Sequence, residues 1–508
     1  MTDSRLVSQM QQPSFYPHAV ADKIESTQTH ASWIFLTGDY VYKLKKEVDF
    51  GFLDYSTLAK RKHFLAEELR LNQKIAPQLY LEVIPIGNDG DRLRLGEGKI
   101  VEYALKMRQF PQSNLFINLL DAGKLDSDCL IELGKIVAQF HLSAETNDYI
   151  SSFGTVAQIK AAFSENYQQS QKYIGIQTKE QFEATKSYTD SFFNNKANLF
   201  QERVDRQKIR ECHGDLHLKN ICLWQDKIQL FDRIEFNESF RFVDTMYDVA
   251  FLVMDLEARQ KPDLANAFLN SYLEYTGDWT GLLVLPLYLS RQAYVRAKVN
   301  SFLLDDTKVS EAEKQQARET AKHYYRQAYK YTQNRSGSLI LMSGLSGSGK
   351  STVARKIARQ KGAVQIRSDA VRKHLAGISL DESGNDDIYS QSMSQKTYDR
   401  LAKLGITLAK AGHTVVLDAK YDRLAHRQKV ISQAEDNNIP IKILHCTAPL
   451  SVLRDRLNRR QGDISDAGVN LLASQQAKAE AFIAAEQQYV TTIDTSLEID
   501  AMQLLADL

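Results

Sequence analysis

Two groups of residues carry types and spacings suited to chemistry on phosphates. The first is Gly344-Leu345-Ser346-Gly347-Ser348-Gly349-Lys350-Ser351, which satisfies the pattern G-x-x-x-x-G-K-[ST] in full. Glycines let successive backbone N–H groups turn toward phosphate oxygens with no Cβ in the way. The helix that opens with Thr352-Val353-Ala354 adds the partial positive charge of its N-terminus. Lys350 then reaches the terminal phosphates of ATP and Ser351 offers a hydroxyl to Mg2+. The second group is His213-Gly214-Asp215-Leu216-His217-Leu218-Lys219-Asn220, with Asp232 following twelve residues after Asn220. A loop carboxylate such as Asp215 can orient an acceptor hydroxyl and receive its proton. An amide oxygen from Asn220 and a carboxylate from Asp232 can hold the metal beside the phosphates.

Strands and helices must bring these groups together. For the glycine-rich loop the elements are short apolar strands. Leu339–Met342 leads into the loop, Ala363–Ile366 leads to Arg367-Ser368-Asp369 with Arg372 one turn on, and Thr414–Leu417 ends in Asp418. In a parallel sheet the ligands gather at the carboxyl ends of the strands, so Asp369 and Asp418 are expected near Lys350, one as acceptor-side base and one for the metal. Further on, Arg456 and Arg460 are four apart on a predicted helix and share a face, from which they can close over a transferring phosphoryl group. The whole run from 338 to 508 resembles the small P-loop kinases related to gluconate kinase, polynucleotide 5′-kinase and zeta-type toxins, with AAA-type ATP binding. That resemblance implies Asp369 as base, Arg372 as substrate contact, and Arg456 and Arg460 as lid arginines. Where relatives often show a threonine, Lys420 follows Asp418-Ala419.

For the second group, the preceding sequence is strand-rich over the first 110 residues and mainly helical from there to 331. Trp33–Leu36, the turn Thr37-Gly38-Asp39 and Tyr40–Leu44 read as a hairpin. A helix is expected from about Thr57 to Asn72, and strands around Leu79–Ile86 and Lys99–Met107. Ile221 to Lys227 can form a hairpin between Asn220 and Asp232. The motif H-G-D-x-x-x-x-N with a later strand-borne Asp resembles the aminoglycoside/choline/homoserine phosphotransferase branch of the protein-kinase-like fold. The resemblance implies Asp215 as base, Asn220 and Asp232 as magnesium ligands, and Asp248 as a structural aspartate. It also implies a strand lysine paired with a helix glutamate. Lys43 is the candidate, with Lys45 on the same strand face as its rival. Glu68 lies beside the stripe of Leu58, Leu65 and Leu69, whereas Glu67 points away. Thr27 to Ser32 is the segment available to cover the phosphates, and it has no glycine. Asp232 is followed by Arg233-Ile234-Glu235-Phe236 rather than Phe-Gly, which favours the small-molecule branch. His213 and His217 are expected to support the loop rather than to bind zinc.

The expected fold class is therefore a mixture of α/β and α+β. A bilobal protein-kinase-like domain (1–110 and 111–331) precedes a P-loop NTPase domain with a parallel sheet (338–508), and the polar seam Thr332–Ser338 joins them. The 508 residues are 43% hydrophobic and 25% charged, with 64 Lys+Arg against 63 Asp+Glu. Such a balance gives no global attraction to nucleic acid or membrane. Four scattered cysteines, no apolar leader and no long apolar run point to a cytoplasmic enzyme with no membrane partner. The helix Leu287–Leu304 carries Arg291, Arg296 and Lys298 and no acid, which disfavours polycationic acceptors. The expected function is a bifunctional ATP-dependent phosphotransferase acting on small-molecule hydroxyl acceptors. The alternatives are a nucleic-acid end kinase or toxin-like kinase, which needs a basic groove leading to Asp369, and a nucleotide-gated regulator.

Overall fold

The computed structural model describes residues 4–20, 23–90, 92–384, 386–459, 464–465 and 468–497. The chain divides into two compact units. One comprises Met1–Leu125, Ser143–Ser164 and Asn195–Asp255; the other comprises Asp126–Leu142, Glu165–Asn194 and Leu256–Leu508.

The first unit contains an antiparallel six-stranded sheet. Its strands are β1 (Glu25–Gln28), β2 (Ser32–Leu36), β3 (Tyr40–Lys45), β4 (Tyr80–Asn88), β5 (Leu93–Leu95) and β6 (Lys99–Arg108), in the order β1-β2-β3-β6-β4-β5. The β2–β3 hairpin turns through Gly38, whose φ of 104° suits a residue without Cβ. Alternation along β3 sends Tyr42 and Leu44 into one core with Phe35, Ile86 and Ala104. Val41 faces the other core, with Leu65, Leu79, Tyr80, Leu105 and Met107, and Lys43 and Lys45 share its side of the strand. The helix Leu58–Gln73 starts at Thr57, whose hydroxyl accepts from Lys60 N at 3.2 Å, and it buries Leu65, Glu68, Leu71 and Asn72. Later in the unit, β7 (Ile209–Glu211) reaches the His213 loop. The hairpin of β8 (Ile221–Trp224) and β9 (Lys227–Leu230) follows, turning through Gln225 and Asp226 at positive φ. β10 (Phe242–Asp244) then pairs with β7.

The second unit contains a five-stranded parallel sheet. Strands β11 (Ser338–Ser343), β12 (Val364–Arg367), β13 (Thr414–Asp418), β14 (Ile441–Thr447) and β15 (Val490–Asp494) lie in the order β12-β13-β11-β14-β15. Strands β11 and β13 are near-continuous apolar runs, as expected of strands covered on both faces, whereas β12, β14 and β15 carry interspersed polar residues. Strand β11 sits between β13 and β14, so the chain crosses over it and the sheet's switch point falls at its carboxyl end. The seam at Thr332–Ser338 is not where the units part. The helical segments 126–142, 165–194 and 256–331 group with the parallel sheet, and the helix Pro262–Thr276 lies along β12. The helix Glu311–Tyr331 begins with a full capping box at Ser310 and Glu313.

A buried ion pair fixes the end of this unit. Arg427, on the helix Leu424–Asp436, donates from Nε to Glu486 Oε1 at 2.7 Å and from Nη2 to Glu486 Oε2 at 3.0 Å. Its remaining donors meet the carbonyls of Tyr421, Glu480 and Ala481. Removing one partner strands the other charge in the interior. Arg427→Ala is expected to destabilise this unit by about 3–5 kcal/mol in chemical denaturation, and Arg427→Met/Glu486→Leu to recover much of that loss.

Candidate functional site

In the second unit the glycine-rich loop opens the helix Lys350–Lys361 at the switch point. Gly344, Gly347 and Gly349 have φ of 133°, 80° and 78°. A Cβ on Gly344 would lie 2.3 Å from the Cys446 carbonyl oxygen, and one on Gly347 2.8 Å from that of Leu453, so both positions are closed to larger residues. Ser346 N donates to Gln475 Oε1 at 3.0 Å, Leu345 packs on Leu453, Leu457 and Leu472, and the Ser348 hydroxyl is buried. Lys350 Nζ donates to the Leu345 carbonyl at 2.7 Å. Burial pulls its ammonium below the ordinary value against the attraction of Asp418.

A cleft of roughly 620 Å³, open to solvent, lies over this loop. Ser346, Gly347, Gly349, Lys350, Ser351, Thr352, Asp369 and Asp418 all line it, so the acid and metal-side residues expected from sequence meet the phosphate loop. Asp418 is buried at the end of β13 and its Oδ2 accepts from Gln365 Nε2 at 2.9 Å. Asp369 opens the helix Ser368–Ala376. Burial raises its carboxyl above the usual range, against Arg367, Arg372 and a hydrogen bond from Ser465. The donor set of Ser351 hydroxyl and Asp418 carboxylate fits a hard cation such as Mg2+. Arg456 also lines the cleft. It is engaged by Thr495, donating to Oγ1 at 2.9 Å and to the carbonyl at 2.6 Å, and reaches the Gly347 carbonyl at 3.4 Å. It ties the phosphate loop to the segment after β15 instead of standing open as a lid. Arg460 lies outside the described residues. Arg372 is buried, donating to the Ile388 carbonyl at 3.0 Å and to Ser394 Oγ at 3.3 Å, with its guanidinium over Tyr389. It braces that segment. Sequence reasoning did not single out Gln365, Arg367 or Thr495. Alternation along β12 is the signal that pairs Gln365 with Arg367.

In the first unit the residues of the second group also converge. Lys43 Nζ lies 2.7 Å from Glu68 Oε1 and 2.8 Å from Asp232 Oδ1. Lys45, the rival, is fully buried between Glu68 and Glu235, 2.5 Å from each. The two lysines therefore share one glutamate and hold different carboxylates beyond it. Desolvation alone would lower the Lys43 ammonium; Asp232 and then Glu68 raise it well above its ordinary value. The desolvating surroundings of Asp232 would raise its carboxyl, yet Lys43 holds it below the usual range. Asp232 has φ of 63° and its N–H donates to Tyr80 OH at 3.0 Å. Tyr55 donates to Glu235, and burial, then Glu235, push its phenol far up.

Asp215 sits in a loop tied down on every side. Asp248 accepts from His213 N at 2.7 Å and Gly214 N at 2.8 Å. His213 is buried, which lowers its pKa and keeps the ring neutral; its Nε2–H donates to the Phe231 carbonyl and Nδ1 accepts from Asp215 N. His217 Nε2 lies 3.3 Å from Asp215 Oδ2. Asn220 Nδ2 donates to Asp215 Oδ2 and to its carbonyl, both at 3.0 Å, so the amide oxygen is the atom Asn220 can offer a cation. Arg233, the residue after Asp232, is buried and donates to the carbonyls of Leu71, Glu211 and Cys212. Arg233, Glu235 and Tyr55 were not singled out from sequence. In sequence the four residues after Asp232 stand out only as a departure from a pattern. Thr29–Ala31 form the β1–β2 turn.

Residues 339–482 match the family described as AAA domain. Uncharacterized proteins of Mycobacterium tuberculosis and Mycobacterium bovis are each 28% identical over 468 residues, covering 91% of this chain and 91% of the relative. Among solved structures, a gluconokinase from Sinorhizobium meliloti aligns at 22% identity over 34% of this chain and 90% of that one, with a TM-score of 0.24. APS kinase of Mycobacterium tuberculosis, in complex with AMPPNP and APS, aligns at 23% identity over 34% of this chain and 97% of that one, with a TM-score of 0.25. Among the described residues no helix is long and apolar enough to cross a membrane.

The raised carboxyl of Asp369 has a consequence for stability. The folded chain takes up this proton at higher pH than the unfolded one. Stability from this group is therefore present below the ordinary carboxylate pKa and is lost as pH rises through the folded value. Asp369→Asn is expected to raise the melting temperature at pH 7. The gain over the parent should vanish in melts recorded below about pH 4.

Proposed function

We propose that the chain is a bifunctional, cytoplasmic phosphotransferase that moves the γ-phosphate of ATP, with Mg2+, to hydroxyl groups of small-molecule acceptors at two sites. The observation that supports this most is the meeting of Lys350, Ser351, Asp369 and Asp418 in one cleft at the carboxyl end of the central parallel strand. In that reading the loop glycines and Lys350 hold the phosphates, and Ser351 and Asp418 hold the metal. Asp369, raised by burial, receives the acceptor's proton. A bound Mg2+ neutralises charge on the phosphate oxygens. Arg456 steadies the loop from which those contacts come, and Arg372 shapes the acceptor side by bracing 388–394.

The first unit supports the second site. Its resemblance to the aminoglycoside, choline and homoserine phosphotransferases rests on His213-Gly214-Asp215 and Asn220. It is strengthened by the Lys43–Glu68 pair and by the contact of Lys43 with Asp232. Here Lys43 serves the α- and β-phosphates, Asn220 and Asp232 the metal, and Asp215 the acceptor hydroxyl. Lys45 pairs with Glu68 and Glu235 and holds them in place, a role in which it does not meet the nucleotide. In this reading polycationic aminoglycosides are not the acceptors, which follows from the sequence expectation drawn from Arg291, Arg296 and Lys298.

Labelled ATP and a metabolite extract test both sites at once. Two sets of labelled products are expected from the parent chain. Asp215→Ala should cut one set and Lys350→Ala the other, each by about 10²–10³-fold, leaving the complementary set intact. Loss of all transfer from either single variant would refute two independent sites. Rapid Asp215-dependent labelling of kanamycin would refute the acceptor assignment. Lys43→Ala is expected to raise the KM for ATP at the Asp215 site, whereas Lys45→Ala should lower thermal stability by more than Lys43→Ala, because it leaves Glu68 and Glu235 buried.

A further inference from the structure

Strand β12 is an edge of the parallel sheet, and edges of sheets leave backbone donors and acceptors to be satisfied. Here the helix Pro262–Thr276 meets that edge, and both belong to the second unit. The side-chain amide of Asn270 does what a neighbouring strand would do. Its Oδ1 accepts from Gln365 N at 2.8 Å and its Nδ2 donates to the Ala363 carbonyl at 3.1 Å. Asn266, one turn earlier, donates to the same carbonyl at 2.9 Å. Glu274, one turn later, pairs with Arg367 at 3.3 Å. The match is metrical: four residues of helix rise about 6.0 Å, and two residues of strand advance about 6.6 Å. Residues 266, 270 and 274 therefore step in register with 363, 365 and 367.

The strand residues held in this way lead directly into the cleft. Gln365 offers its backbone to Asn270 and its side chain to Asp418, at 2.9 Å. Arg367 lines the cleft, reaching toward Glu274 with Nη1 and lying 4.0 Å from Asp418 Oδ2 with Nε. The helix is further fixed by His374, from the helix that carries Asp369, whose Nε2–H donates to the Glu274 carbonyl at 2.7 Å. From these contacts we infer that Asn270 and Glu274 are positioning residues of the phosphate-loop site. Acting through Gln365 and Arg367, they set the orientation of the Asp418 carboxylate, and the functional unit of that site begins near Pro262 rather than at the glycine-rich loop. This rests on reading the cleft as a magnesium–nucleotide site.

The test uses the full chain and ADP as probe, with binding measured by calorimetry without metal and across a Mg2+ titration. Asn270→Ala and Glu274→Gln are expected to leave metal-free ADP affinity within about twofold and to raise the Mg2+ concentration at half-effect by about tenfold, as for lost partners of a metal-holding carboxylate. Glu274→Asp should restore part of the Mg2+ response, which a packing defect would not. Glu274→Gln keeps shape and volume, so it remains informative if Asn270→Ala fails to fold. Mg2+ half-effects within twofold of the parent in both variants would overturn the inference, as would a loss of metal-free ADP binding in step with the Mg2+ response. If the parent binds no ADP in a Lys350-dependent way, the nucleotide reading itself fails and takes the inference with it.

Discussion

Glu68 is fully buried, and a carboxylate in that position needs facing partners to offset its lost hydration. Two lysines from one face of β3 supply them, and that arrangement organises the rest of the first unit's site. Because side chains on a strand alternate, Lys43 and Lys45 point the same way at two adjacent steps. Each spans from Glu68 to a different carboxylate of the segment after β9, Lys43 to Asp232 and Lys45 to Glu235. The helix, the sheet and the Asp232 segment are thus held to one another by charge. Three carboxylates against two ammonium groups leave these five side chains one negative charge in excess. The excess is best relieved at Asp232, the most exposed of the three acids at 44% of its side chain. A divalent cation held there would more than offset that single charge, and Asn220 lies on the loop that Asp215 shares.

The second unit solves a similar problem with neutral donors. Asp418 is buried at a strand end, where the parallel sheet delivers it to the phosphate loop. Its near partner is an amide, Gln365, and Arg367 stands off at 4.0 Å. A carboxylate held by one amide remains available to a metal in a way that one locked in a bidentate ion pair does not, as Glu486 is with Arg427. At Asp369 burial raises the carboxyl against the opposing pull of Arg367, Arg372 and Ser465. The two acids of one cleft thus stand in different surroundings, Asp418 against a neutral amide and Asp369 raised by burial.

Much of this was legible in residue types because backbone geometry is local. The phosphate loop needs Gly344, Gly347 and Gly349 at positive φ, and only glycine meets that need where Cys446 and Leu453 crowd the position. The hairpin at Gly38, the helix capped by Thr57 and the capping box at Ser310 are similarly readable, since each is settled within a few residues. A strand lysine paired with a helix glutamate is what the family resemblance implies; helix periodicity prefers Glu68 to Glu67, and strand alternation leaves Lys43 and Lys45 both open, as both pair with it. What escaped were contacts between segments far apart in sequence. Nothing near Arg233 announces that its guanidinium will satisfy carbonyls from Leu71, Glu211 and Cys212. Arg372 and Arg456 show the converse. An arginine beside a motif suggests a ligand, yet carbonyls and hydroxyls of the fold had already engaged both.

The seam at Thr332–Ser338 illustrates how composition and force can disagree. A polar stretch with no periodicity looks like a linker, and the backbone there is indeed irregular between the helix ending at Tyr331 and β11. Yet an edge strand is costly to leave open, and β12 has its backbone partners on a helix that ends well before that seam. Asparagine suits the task better than any apolar residue, since one amide both donates and accepts and so stands in for a strand neighbour. Separating the chain at the seam would uncover Ala363 O and Gln365 N together and would leave Arg367 without Glu274. The cost would fall on the strand that supports Asp418. The boundary that matters chemically is therefore set by where hydrogen bonds end, and those bonds run past the linker into the helical segment before it.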